Sequence, residues 1–341
     1  MWASHLTFLC LSYPICKIGI NWESHTGQPD YPVSTPELRA LCTIVIFVNR
    51  SLQCITHTRS FAKVPGGTPQ LGAGGDARGT PVPHLRSFLF LPRSCPRQMV
   101  KTHDLPPDRN YLLISHPHGL MAHSAFGLFG TEGGDFSRTF PGLKPRLLTL
   151  NIFFWIPVLR DYLMSVGICS VCEDSIDYLL SRGKGTMVVV VVGGLAECHY
   201  SLPGCSTLVL RNRRGFVRKA LQHGVALVPC YSFGENDLYG QRCLRAGSWE
   251  RRLQDRLRAL GHVYPCAFYG SGLSPGSRGL LPFHRTVTAV VGAPLPLPRI
   301  QAPSEETVAH YHGLYVAALR RLFDQHKADY GLPDTQELTV V

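Results

Sequence analysis

At 341 residues, 45% apolar and 17% charged, the chain has ample surface to bury, which excludes disorder; its 33 glycines and 26 prolines show no period, which excludes a collagen-like or coiled-coil chain. A mean hydropathy of +0.03 excludes a polytopic transporter, which needs several long apolar spans. The net charge of +11, spread along the chain, favours an anionic partner such as nucleic acid, a lipid headgroup or a phosphorylated cofactor.

Residues 1–98 are expected to form an atypical, largely irregular and poorly ordered N-terminal segment. Leu6 to Ile15 is apolar, but no Lys or Arg precedes it and Pro14 interrupts it, so no cleaved signal is expected. Leu41 to Val48 is far shorter than the ~20 residues that span a bilayer. The sequon Asn49-Arg50-Ser51 has meaning only if that segment reaches a lumen. Gly66 to Pro83 reads as loop, and Leu85 to Pro92 as a short apolar stretch closed by prolines.

From residue 99 to 341 strand-like and helix-like segments alternate, which predicts an α/β domain with a sheet flanked by helices. Tyr111 to Ile114 predicts a strand. Leu147 to Ile156, uncharged and carrying Trp155, predicts either a membrane-facing stretch or a buried core helix. Ser175 to Arg182 predicts a helix. Met187 to Val192 is β-branched and apolar on both faces, as a strand in mid-sheet must be. A helix over Phe216 to His223 and a strand over Ala226 to Tyr231 follow, then a helix over Trp249 to Leu260 and a strand over Val287 to Val291. Ser304 caps a last helix with Glu305 and Glu306 in its first turn, a stripe of Val308, Tyr311, Tyr315, Leu319, Leu322 and Phe323, and Gly331 as its stop.

Two strand exits carry candidate chemistry. The first strand runs into His116-Pro117-His118-Gly119, where Pro117 stiffens the bend and Gly119 frees the chain to turn. The strongest strand runs into Gly193-Gly194-Leu195-Ala196-Glu197, in which the glycines let backbone approach a ligand and a carboxylate follows. If the strands are neighbours, Glu197 accepts the Nδ1–H of a histidine and fixes the tautomer a base needs; otherwise it caps a helix. The basic cluster Arg211, Arg213, Arg214, Arg218 and Lys219 has only Phe216 as an interleaved aromatic and no nucleic-acid module around it, so no nucleic acid is expected. Twelve scattered cysteines read as mostly reduced, and the adjacency of Cys198 and His199 suits zinc poorly, so no metal and no permanently bound cofactor are expected. Gly272-Leu273-Ser274-Pro275-Gly276 matches a nucleophile elbow, but Pro275 has no N–H to give its oxyanion hole.

Taken in order, His116-Pro117-His118-Gly119, Gly193 to Glu197, Arg214-Gly215-Phe216-Val217-Arg218 and Pro229 to Asp237, which holds Glu235 and Asn236, resemble the type-2 diacylglycerol O-acyltransferase family with its monoacylglycerol and wax-alcohol acyltransferase relatives. Phe140-Pro141-Gly142-Leu143, Arg160-Asp161-Tyr162, Gly279 to Phe283 and Val290-Val291-Gly292-Ala293-Pro294 extend the resemblance from Met99 to the end of the chain. It implies a glycerolipid-acyltransferase-like fold and transfer of a fatty acyl group from acyl-CoA, a co-substrate, to the hydroxyl of a mono- or diacylglycerol or a long-chain alcohol, at the endoplasmic reticulum membrane among membrane lipids.

The resemblance places catalysis in the histidine motif, with His118 expected as general base, His116 shaping the turn or binding donor, and Glu197 orienting the base. Gly193 and Gly194 are expected to donate to the oxyanion, and Arg214, Arg218 and Lys219 to meet the phosphates of acyl-CoA. Related glycerol-phosphate acyltransferases carry a His-x4-Asp pair, whereas Met121 and His123 stand at those positions here, which leaves the acid to Glu197. The family's opening hydrophobic hairpin and the segment after it are only faintly echoed, at Thr68-Pro69-Gln70 and Gly74-Gly75, so residues 1–98 are expected to derive partly from altered splicing, a shifted frame or a decaying gene copy. The alternative reading is a non-catalytic family remnant with impaired anchoring.

Overall fold

The computed structural model describes residues 96–341 apart from 242–246, 250–251, 253, 255, 257–265, 273 and 275. The expectations for residues 1–95, and most of the helix expected over Trp249 to Leu260, lie outside the described residues. In chain order the strands are β1 (Arg97–Lys101), β2 (Tyr111–His116), β3 (Lys144–Thr149), β4 (Cys169–Ser170), β5 (Thr186–Val190), β6 (Thr207–Leu208), β7 (Ala226–Phe233), β8 (Gly240–Gln241), β9 (Phe268–Ser271), β10 (Arg278–Gly279), β11 (Val287–Val291) and β12 (Thr339–Val340). The helices are α1 (His123–Phe129), α2 (Phe136–Thr139), α3 (Pro157–Ser165), α4 (Glu173–Ser181), α5 (Gly215–His223) and α6 (Glu305–His326).

Seven strands form one sheet in the order β1-β11-β7-β2-β5-β3-β4. β2 pairs in parallel with both β5 and β7, and β5 with β3, while β11 runs antiparallel to β7. The pleat sorts β2 between two cores. Leu112 and Ile114 face α4, α5 and α6, whereas Tyr111 and Leu113 face α1, α2 and α3. Helices on both faces are what a sheet apolar on both faces requires, so the α/β sandwich foreseen from the alternation is the one formed.

Pro229 stands inside β7, a central strand, where its missing N–H would ordinarily break the ladder. Here the antiparallel ladder with β11 stops at Cys230 opposite Val291, and Pro229 contributes only its carbonyl, to the Gly292 N–H at 2.8 Å. Leu147 to Ile156 is neither a single helix nor one surface. Leu147 and Leu148 are buried in β3, which the sequence reading had not separated; a 3-10 turn over Asn151–Trp155 then exposes Ile152 and Trp155 at 57% and 73%. Ser274 sits in an exposed turn between β9 and β10, not between a strand and a helix, so the elbow-like match has no elbow geometry.

Candidate active site at the carboxyl edge of the sheet

Because β2, β5 and β3 are parallel, their exits share one edge of the sheet, the edge at which α/β folds place ligands. His116 is the last residue of β2. Strand periodicity puts it on the face of Leu112 and Ile114, under α6. It is fully buried, and its Nε2 shares a 3.0 Å hydrogen bond with the Tyr315 hydroxyl. Burial pushes its pKa down to about 3, so the ring stays neutral.

His118 lies two residues on, beyond a cis His116–Pro117 peptide. Its Nδ1 is 2.9 Å from the Gly119 carbonyl oxygen. A carbonyl only accepts, so Nδ1 carries the proton and Nε2 keeps its lone pair. Nε2 makes no hydrogen bond among the described residues, and burial holds the ring below the ordinary histidine pKa. Cys198 Sγ lies 3.8 Å from Nδ1, but a nitrogen that donates to Gly119 cannot take the thiol proton, and burial pushes the thiol pKa up. The pair is therefore not a Cys–His nucleophile.

Glu197 meets His118, but through the backbone. Its Oε1 accepts the His118 N–H and its Oε2 accepts the Val209 N–H at 2.9 Å. The expectation that Glu197 takes the imidazole Nδ1–H is thus corrected: the tautomer is set by the neighbouring carbonyl, and Glu197 fixes the chain that carries the ring. The carboxyl is 1% exposed, and burial outweighs the two donors to raise its pKa to about 7. Gly193 makes room for it, since a Cβ there would stand 2.1 Å from Oε2. Gly193 and Gly194 open the 3-10 turn Gly194–Tyr200, and among the described residues no turn or loop hydrogen bond takes their N–H groups.

A second buried carboxylate braces the other side of the loop. Glu235, 2% exposed at the exit of β7, accepts the N–H groups of His123 and Ser124 at 2.8 Å each and so caps the start of α1. Gly119 (φ +62) lies directly over it; a Cβ would stand 2.5 Å from Oε1. In the sequence Glu235 stands out only as a motif residue and Tyr315 only as part of an apolar stripe. The hydroxyl tip in that stripe, and the carboxylate next to Gly234 at a strand exit, were the available signals. Beside Glu235, Asn236 donates from Nδ2 to the Cys205 carbonyl at 2.9 Å, and the Asp237 N–H closes a turn onto Gly234.

The three expected phosphate contacts separate. Lys219 Nζ binds Asp177 Oδ2 and Glu173 Oε2, each at 2.9 Å, and Arg218 pairs with Glu305. These two cations tie α5 to α4 and α6. Arg214 is exposed at the N-cap of α5, followed by Phe216, whose ring packs on Tyr315.

A family profile described as diacylglycerol acyltransferase matches residues 85–341, from ahead of Met99. The chain is 55% identical to human acyl-CoA wax alcohol acyltransferase 2, over 80% of this chain and 82% of that one, and 60% identical to its mouse counterpart over 78% and 80%. It is 49% identical to bovine diacylglycerol O-acyltransferase 2, over 72% and 68%. A looser likeness is to the crystal structure of the 1-acyl-sn-glycerophosphate acyltransferase PlsC from Thermotoga maritima, with a TM-score of 0.37 and 16% identity over 68% of this chain and 73% of that one. With the profile spanning the whole described sheet and half or more of the residues shared with these proteins or nearly so, the chain belongs to the diacylglycerol acyltransferase family and is an acyltransferase.

Proposed function

We propose that the chain moves a fatty acyl group from acyl-CoA to the hydroxyl of a neutral lipid, with His118 as general base. The observation that carries this reading is the division of the His118 ring: Nδ1–H is taken by the Gly119 carbonyl, and Nε2 is left as a neutral, unclaimed lone pair at the sheet edge. In the proposed step Nε2 takes the acceptor's hydroxyl proton as the oxygen attacks the thioester carbonyl carbon. The N–H groups of Gly193 and Gly194 donate to the resulting oxyanion. The C–S bond then breaks, and the departing thiolate takes the proton from the imidazolium, which leaves an ester, CoA and a neutral His118.

Among acceptors, a long-chain alcohol is the first to test, because the two relatives at 55% and 60% identity are named wax alcohol acyltransferases, whereas bovine diacylglycerol O-acyltransferase 2 stands at 49%. A methylene or two separates such acceptors by only ~1–3 kcal/mol, so the choice lies in pocket shape. Among the described residues no helix is long and apolar enough to cross a membrane. We propose seating on the endoplasmic reticulum surface through Leu150, Ile152 and Trp155, which are exposed just past the exit of β3, two strands from His118. Resistance of part of the protein to high-pH carbonate, lost in Ile152→Glu/Trp155→Glu, supports a monotopic seat there; full release of the wild type rules out integral attachment and leaves only a peripheral one.

The deciding experiment offers mono- and diacylglycerol and a long-chain alcohol, with labelled acyl-CoA, to microsomes of lipid-synthesis-deficient cells expressing the chain. Ester formed by wild type and absent with His118→Ala supports the reading. A folded wild type that makes no ester with any acceptor favours the non-catalytic remnant.

A further inference from the structure

A groove of about 830 Å³ runs along α6 beside the segment that leads into α5. Four arginines line it: Arg211 and Arg214 from that segment, Arg320 and Arg321 from α6. Among the described residues none of the four is ion-paired. Arg211 only reaches the Val340 carbonyl at 3.4 Å. The carboxylate that lines the groove, Asp324, is held by Lys327 at 3.1 Å. This contrasts with Arg218 and Lys219, whose charges are met by protein carboxylates.

A second observation points the same way. Arg214 is the N-cap of α5, a nine-residue helix with no side-chain cap and no acidic residue in its first turn. Space is open beside Gly215. The unmet N–H groups and positive end of a helix favour an anion, and one of the four groove arginines, Arg214, stands at that end; the planar donors of guanidinium groups suit phosphate.

The groove is also joined to the candidate active site. Val209 donates its N–H to Glu197, which holds His118; the Leu210 carbonyl lies 3.1 Å from Nε2 of His312, a groove residue; Arg211 and Arg214 follow. Five chain steps from Val209 to Arg214 span at most about 18 Å, a reach comparable to an extended pantetheine arm.

We propose that this groove holds the phosphates of the acyl-CoA donor, with Arg211, Arg214, Arg320 and Arg321 as their partners in place of Arg218 and Lys219. The inference rests on the acyl-CoA reading above and gives it a location. Free CoA is titrated onto the detergent-solubilised full chain, as wild type and as Arg320→Ala/Arg321→Ala, at low and high salt. The double variant should bind at least about tenfold more weakly, as loss of charged hydrogen bonds demands, and wild-type affinity should fall with salt. Arg320→Lys/Arg321→Lys, which keeps charge but not the fork, should fall between the two. In turnover the variant's KM for acyl-CoA should rise with little change in kcat, and an acyl N-acetylcysteamine thioester, which has no phosphate, should serve both proteins alike.

Equal CoA affinity in wild type and variant overturns the proposal. So does a variant that keeps its CoA affinity but no longer floats with phosphatidylserine vesicles, since the groove would then take lipid headgroups. A wild type that binds CoA through these arginines yet transfers no acyl group breaks the acyltransfer reading and keeps the groove. A wild type that transfers acyl groups, with a variant of unchanged affinity, does the reverse.

Discussion

His116 closes β2 on the face that packs beneath α6, whereas His118 stands beyond Pro117 in a loop clamped by Glu197 on one side and Glu235 on the other. The first ring gives Nε2 to a buried tyrosine and is pushed far from protonation; the second gives Nδ1 to a backbone carbonyl and keeps Nε2. One intervening residue therefore separates a histidine whose Nε2 is bonded in the core from one whose Nε2 makes no hydrogen bond among the described residues. The difference teaches that a histidine's role here follows from the atom its neighbours occupy and not from its place in the motif.

The sharpest way to break the contrast is to disturb the loop without touching either ring. Gly119→Ala places a Cβ on a left-handed backbone and against Glu235, and should cost several kcal/mol of stability and most activity, read by thermal unfolding and ester formation. Glu197→Gln comes next. Both carboxyl oxygens accept backbone N–H groups, and even a protonated carboxyl keeps an acceptor on each oxygen whereas an amide NH2 cannot accept, so the amide leaves one N–H unmet at a cost of about 1–3 kcal/mol. Tyr315→Phe removes the partner of His116 and should cost about 1–2 kcal/mol while kcat stays near wild type, as the proposed assignment of the base to His118 requires.

The smallest effects are in pH dependence. Glu197 holds its proton up to about pH 7 in the folded protein but releases it near 4.5 when unfolded. Between those values the folded state binds the extra proton, so the carboxyl's contribution to stability falls as pH rises through this window. The Tm difference between wild type and Glu197→Gln should shrink or change sign accordingly, whereas a flat difference would place the Glu197 pKa near its ordinary value. His118 is shifted the other way: burial favours its neutral ring, so the acid limb of kcat/KM should have its midpoint below pH 6.5.

Much of this frame was legible in the sequence. Runs such as Met187 to Val190 and Val287 to Val291 announce buried strands because they are short, apolar on both faces and rich in β-branched residues, which favour a strand in mid-sheet over a buried helix. β1 and β3 were not legible: Arg97–Lys101 is half exposed at the sheet edge, and Lys144–Thr149 opens with a charge and a proline. The choice between the histidines depended on where β2 ends. A strand read as stopping at Ile114 leaves both rings in a loop; continued to His116, the pleat aligns that ring with Leu112 and Ile114 and hands it to α6. The partners of Arg218 and Lys219 come from α4 and α6, far away in sequence, so a cluster dense in one dimension is dispersed in three.

The central claim, that His118 and not His116 takes the proton, is tested most directly by kcat/KM for ester formation in His118→Ala and His116→Asn, each normalised to folded protein. The account predicts a fall of at least about 10²-fold in His118→Ala, within the ~10²–10⁴ range of general-base catalysis, and less than about tenfold in His116→Asn. An inactive His116→Asn beside a His118→Ala of near-normal rate would contradict it.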